Sequence, residues 1–252
     1  MKISIITVVL NGAQTIERNL RSVFIQKKPH FEIEHIVIDG LSTDGTLAIL
    51  QNHQDQIAIL VSEPDQGLYD AMNKGIRLAT GDVIGILNCD DYYKNENILS
   101  EIHHIFETEQ VDAIFGDVEY FNRKKIDSIS RLYRSKNFNR ESLSYGRVPA
   151  HPSLFVKREI FIIYGPYKSN YRIAGDFEFM ARIFKNNYFR YFYVPKVLVR
   201  MQSGGISNKN LINRAITTLE ILRACKENNI ETNLLKLFSR YPSKLFEYKK
   251  LK

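Results

Sequence analysis

Four short β-branched runs, each followed by a stretch of helical periodicity, dominate the first half of this chain of 252 residues. ISIITVV (3–9), IEHIVID (33–39), QIAILVS (56–62) and DVIGIL (82–87) read as buried strands, and VDAIFGDV (111–118) as a fifth. Between them, Asn11 to Gln26 carries Ile16, Leu20, Val23 and Phe24 on one helical face. STDGTLAILQNH opens on capping residues, and Asp70 to Thr80 spaces Met72, Ile76 and Ala79 for burial. Strands alternating with helices predict an α/β fold with a mostly parallel sheet, flanking helices and right-handed crossovers.

The second half is less regular. Residues 119–150 are polar, basic and aromatic, with few clear elements. Short helices are expected over 153–164 and 176–186, and two extended segments in YFRYFYVPKVLVRM, broken at Pro195. After GGISN the chain reads as helical to its end, interrupted near Pro242. No linker cuts it, so one continuous domain with a C-terminal helical extension is expected. The two cysteines, Cys89 and Cys225, predict neither a disulfide framework nor a zinc site and favour a reducing compartment. No stretch approaches a membrane span, and MKISIITVVLNG suits a first strand better than a leader. A net charge of +7 favours anionic partners without choosing among them.

In open parallel sheets, ligands bind beyond the carboxyl ends of the strands. Thr7 and Asn11 follow the first strand, Asp39 ends the second, Glu63 and Asp65 follow the third, and Asn88, Asp90 and Asp91 follow the fourth. Acids gathered at one edge repel each other unless a cation joins them. A hard divalent ion with oxygen ligands, Mn²⁺ or Mg²⁺, fits best, and such ions share their shell with phosphates. That points to a diphosphate ligand. Taken singly, each of these residues is equally at home as a helix cap or turn former.

Four segments, ISIITVVLNG, IVIDGLSTDGT, SEPDQGLYDAMNKGIRLATGDVIGILNCDDYY and YRIAGDFEFMARI, resemble in order and spacing the motifs of family 2 glycosyltransferases, which have the GT-A fold. The similarity is greatest to the bacterial branch that builds surface polysaccharides, colanic acid, capsule and lipopolysaccharide among them. It spans about residues 1–205, implying a nucleotide-sugar half (1–118), an acceptor half (119–205) and a helical extension (206–252). It implies transfer with inversion from a nucleotide-diphosphate sugar, UDP-sugar favoured over GDP-sugar, to a glycan or polyprenyl-linked hydroxyl in the cytoplasm. It further implies that Asp39 contacts base or ribose, with Thr7 and Asn11 beside the nucleotide and Asp65 in the donor set. Asn88 to Asp90 matches the family's DxD motif, so Asp90 would hold metal and diphosphate, with Asp91 beside it. Asp176 matches the general base, and Glu178 competes for that role.

The chain departs from the common pattern at Asn88, which replaces the first acid of DxD, and at Gly40–Leu41, where many members have a second acid. With no Trp, the processive-synthase signature is missing, which favours single addition. Two alternatives fit less well. A nucleotidyltransferase needs a glycine-rich basic loop after the first strand, and TVVLNGAQT does not supply one. A nucleotide-binding module without catalysis suits the net charge, but bare carboxylates repel a nucleic-acid backbone. A dehydrogenase lacks its G-x-G-x-x-G. His151 reads either as an acceptor-site residue or as a structural histidine, and SGGIS (203–207) as a closing loop or a turn. The basic, apolar tail 234–252 suits the inner membrane face or an amphipathic helix packed on the domain, with Leu235, Leu237 and Phe238 as core or homodimer contacts.

Overall fold

The computed structural model describes residues 1–28, 30–123, 125–205 and 210–239. The expected alternation is present as β1 (Lys2–Val9), α1 (Ile16–Phe24), β2 (Glu32–Asp39), α2 (Thr46–Asn52), β3 (Ile59–Ser62), α3 (Leu68–Leu78) and β4 (Val83–Ile86). β3, β2, β1 and β4 lie side by side in that order, all parallel. β1 is buried along all but its first residue, as a strand covered by helices on both faces must be. Each crossover helix lays an apolar stripe on the sheet, so the four strand ends that carry Asn11, Asp39, Asp65 and Asp90 share one edge.

Beyond β4 the pairing is mixed. β5 (Tyr92–Tyr93) and α4 (Ile98–Thr108) lead into β6 (Ala113–Asn122), which turns back as β7 (Lys125–Tyr133). β8 (Phe155–Lys157) lies antiparallel between β4 and β6, and β9 (Tyr191–Gln202) runs parallel to β6 and carries β5 on its far side. The β6–β7 hairpin occupies part of the stretch that looked featureless. Most of β7 is exposed and polar, so it lacks the alternation by which a half-buried strand is recognised. The helix expected over 153–164 is instead a strand followed by α5 (Arg158–Tyr164), because Phe155 and Val156 fill the sheet between β4 and β6.

Pro195 does not split the extended region in two. β9 is continuous, and its pairing with β6 slips between Phe115–Tyr193 and Asp117–Val197, a bulge that spares the sheet the missing N–H. α6 (Gly175–Phe184) lies close to its expected place. α7 (Leu211–Glu227) and α8 (Leu234–Phe238) are separated by a turn through Asn229 at φ 55°. The break expected near Pro242 lies outside the described residues. Of the three apolar tail residues, Leu237 is buried and joins Ile221, Ala224 and Cys225 in the same core cluster as Phe177 and Met180. No helix among the described residues is long and apolar enough to cross a membrane.

Candidate active site

Asp39, the last residue of β2, is fully buried. Its two oxygens accept from the Ser42 N–H at 3.3 and 3.2 Å, and one accepts the Ser62 hydroxyl at 2.7 Å. The carboxylate is therefore fixed across the ends of β2 and β3. Half-buried Asp65 accepts the Gly67 N–H at 2.9 Å, and its other oxygen lies only 2.4 Å from where a side chain on Gly40 would begin. A side chain at 40 would push the Asp65 carboxylate out of this position, which gives the departure seen there a physical reason. Asn11, at φ 53°, accepts the Thr43 N–H at 2.9 Å and donates its own N–H to Ser42 Oγ at 2.7 Å. The loops after β1 and β2 are thereby stapled together.

Thr7 was expected beside the nucleotide, and its geometry corrects that assignment. It is fully buried, its hydroxyl donating to Asn19 Oδ1 and meeting His35 Nε2, both at 3.0 Å. A β1 side chain pointing under α1 supports the site without reaching it. The group it supports, Asn19, escaped the sequence analysis. Its Nδ2 donates to the carbonyls of Asn88 at 2.9 Å and Asp91 at 3.0 Å, so α1 holds the backbone of the acidic loop from within. The available signal was a polar residue on the buried face of an amphipathic helix, one place before Leu20. Asn19→Ala takes this donor from the Asp91 carbonyl, an unsatisfied group costing ~1–3 kcal/mol, while the Asn88 carbonyl keeps the Asp91 N–H at 2.9 Å. The expected result is a lower melting temperature together with a raised KM for the donor, read by calorimetry and initial rates.

The acidic loop contains an unsatisfied atom. Among the described residues, buried Asn88 Oδ1 accepts no hydrogen bond. Its Nδ2 lies 3.5 Å from Asp91 Oδ2, and Gln202 N donates to Asp91 Oδ1 at 3.3 Å. Asp91 is only 2% exposed. Burial raises the Asp91 carboxyl well above the usual range and the Asp90 charge raises it further, while Arg18 opposes the rise. Burial also raises Asp90, against its own backbone N–H and Arg18. Arg18 packs over the rings of Tyr92 and Phe121, 4.8 Å from each centroid, and donates to the Asp90 carbonyl at 3.2 Å. Cys89, between Asn88 and Asp90, has a thiol pushed up to about 12 by burial, so it stays neutral.

Two carboxylates held reluctantly ionised beside a vacant oxygen acceptor fit a divalent cation. Among the described residues no group of three or more His, Cys, Asp or Glu side chains could hold a metal. The protein's share of a coordination shell is thus small, and phosphate oxygens and water would complete it.

The raised carboxyls have a sign. The folded chain binds these protons more tightly than the unfolded one, so without a cation its stability falls as pH rises from the ordinary carboxylate range, about 4, through the raised values. A bound cation reverses this. Mn²⁺ is therefore expected to raise the melting temperature more at pH 7.5 than at pH 5. An equal or larger rise at pH 5 in a thermal-shift assay would remove Asp90 and Asp91 as ligands.

Asp176 stands in the first turn of α6, half-buried, accepting the Phe177 N–H at 2.8 Å. Tyr69, in the first turn of α3, donates to the Ile173 carbonyl at 2.6 Å and lies 3.4 Å from Asp176 Oδ1. Its ring approaches Gly175 so closely that a side chain there would meet it at 2.7 Å. The mouth of α6 is thereby drawn to the sheet edge that carries Asp65. Glu220 of α7, a second residue missed in the sequence, accepts from the N–H groups of Arg172, Ile173 and Ala174 at 2.6, 2.9 and 2.8 Å and braces this loop.

The competitor Glu178 is fully buried and engaged by Lys168 and Arg182, each at 2.9 Å, which makes it a structural ion-pair residue. His151 is almost wholly buried, with Nε2 2.8 Å from the Tyr167 hydroxyl. That geometry favours the structural reading of this histidine, and burial lowers its pKa.

The model of the family described as "Glycosyl transferase family 2" matches residues 4–161. A Mycobacterium bovis protein named PGL/p-HBAD biosynthesis glycosyltransferase is 33% identical over 217 residues, covering 81% of this chain and 78% of its own. Among solved structures, residues 1–349 of S. aureus TarS in complex with UDP-GlcNAc match with a TM-score of 0.69 at 18% identity, covering 92% of this chain and 68% of that one. The mannosyltransferase PcManGT from Pyrobaculum calidifontis, in complex with GDP-Man and Mn²⁺, matches at 0.63 and 21% identity, covering 88% and 64%. The chain spans only 40% of a longer TarS chain. At these identities the structures speak for the shared GT-A fold.

Proposed function

Because this chain belongs to glycosyl transferase family 2, we propose that it moves a single sugar, with inversion and with Mn²⁺ or Mg²⁺, from a nucleotide-diphosphate sugar to a hydroxyl of a glycan or lipid-linked acceptor. The observation that carries the reading is the convergence on one sheet edge of the Asp39–Asp65 cup, the Asn88–Asp91 loop with its vacant acceptor, and Asp176. Two structural relatives were solved with nucleotide sugars, one of them with Mn²⁺, which supports the donor class and the ion. The M. bovis relative's name supports a role in assembling a surface glycan. Residues 1–118 serve the donor and 119–205 the acceptor.

Asp39 and Asp65 accept hydroxyl or amine donors of the nucleoside. Asp90 and Asp91 would hold the ion, and Asn88 Oδ1 would accept from a water or a sugar hydroxyl beside it. When bound, the ion supplies Lewis-acid neutralisation of the charge that grows on the leaving diphosphate. Asp176 takes the proton from the acceptor hydroxyl as that oxygen attacks the anomeric carbon, on the face opposite the departing nucleotide. Tyr69 and Glu220 hold Asp176 in place.

The test is a panel of UDP-, GDP- and dTDP-sugars, with and without Mn²⁺, scored for nucleoside diphosphate. Metal-dependent release is expected. Release of pyrophosphate instead would make the chain a nucleotidyltransferase.

A further inference from the structure

α7 carries apolar residues on two faces. Its inward residues, Ile221, Ala224 and Cys225, enter the core, and Glu220 binds the loop before Asp176. Its outward face is also apolar. Leu211, Ile212 and Leu219 are 79, 69 and 62% exposed, and exposed Ala215 lies on the same stripe at helical spacing. On α8, beside it, Leu235 is 82% exposed. A stripe of this length, left to water, marks an interaction surface.

Charge decides which partner. Residues 240–252 follow this pair of helices directly and hold five basic residues, Arg240, Lys244, Lys249, Lys250 and Lys252, against Glu247 alone. That surplus of four is more than half of the chain's net +7. An apolar helix face followed by a concentrated basic segment is the chemistry of an anionic lipid surface: the side chains enter the acyl boundary while the lysines meet headgroups. A second copy of this chain would bring the same positive surplus against itself.

We propose that the outer face of α7 and the basic residues 240–252 dock this protein on an anionic bilayer. The thickness of one helix, about 10–12 Å, then separates the lipid-facing stripe from the loop that Glu220 holds. Asp176 works close above the headgroups. On the transferase reading, from which this last step follows, the site suits an acceptor hydroxyl carried on a short lipid-linked glycan.

The chain contains no Trp, so one introduced residue reports alone. Leu219→Trp is expected to shift its emission to the blue on adding phosphatidylglycerol vesicles, and not on adding phosphatidylcholine vesicles. Ile25→Trp, exposed at the end of α1, is expected to shift with neither. Lys249→Ala with Lys250→Ala is expected to weaken vesicle binding about 30-fold. The proposal fails if Leu219→Trp shows no shift with phosphatidylglycerol, if the lysine pair changes nothing, or if the shift appears without lipid as the mass doubles. Nucleoside diphosphate release from soluble donor is measured without vesicles, so failure to dock and failure to transfer are read apart.

Discussion

Asp176→Asn is expected to lower kcat by roughly 10²- to 10⁴-fold, the usual contribution of a positioned proton acceptor, while the donor dissociation constant stays unchanged. The amide keeps the acceptor oxygen that takes the Phe177 N–H and sits near Tyr69, so the mouth of α6 keeps its shape. What it loses is the capacity to receive a proton. Rapid-mix rates with saturating donor, alongside calorimetric donor binding, separate the two quantities. Normal turnover by this variant would remove Asp176 as base. Glu178 offers no substitute in place, since releasing it would abandon a fully buried carboxylate bonded to Lys168 and Arg182.

Asp90→Ala is expected to abolish metal-dependent donor binding, a loss of at least about 100-fold, since changing even the outer partners of a metal ligand costs 10- to 100-fold. The variant should remain folded. Asp90 is half-buried, and the loop's backbone is held by Asn19 through carbonyls, which the substitution leaves in place. Relief of the Asp90–Asp91 repulsion should slightly raise the melting temperature of the metal-free protein. Titration of Mn²⁺ in the presence of donor distinguishes the two effects. A variant that binds donor with undiminished metal dependence would shift the ligand role to Asp91.

The parallel half of the sheet was legible because its inner strands β1 and β4 are buried along most of their length and appear as apolar runs, and the crossover helices between strands carry apolar residues at helical spacing. The same regularity placed Asp39, Asp65, Asp90 and Asp91 at the strand ends. The β6–β7 hairpin was not legible, since an exposed polar strand such as β7 has no periodicity to betray it. Nor was the role of Asn19 or Glu220. Each bonds backbone atoms 46 to 72 residues away, and no local pattern encodes that distance. Thr7 misled for a related reason. Proximity to a strand end does not reveal which face a side chain takes, and with period two a single position decides between cleft and core.

The amide of Asn19 grips carbonyl oxygens, which are the same whatever residues stand at 88 and 91. The scaffold and the chemistry of that turn are therefore separable. Lineages can exchange Asn88 for an acid, altering which ions are tolerated, without renegotiating the conformation that presents it, and a designer can borrow the same freedom.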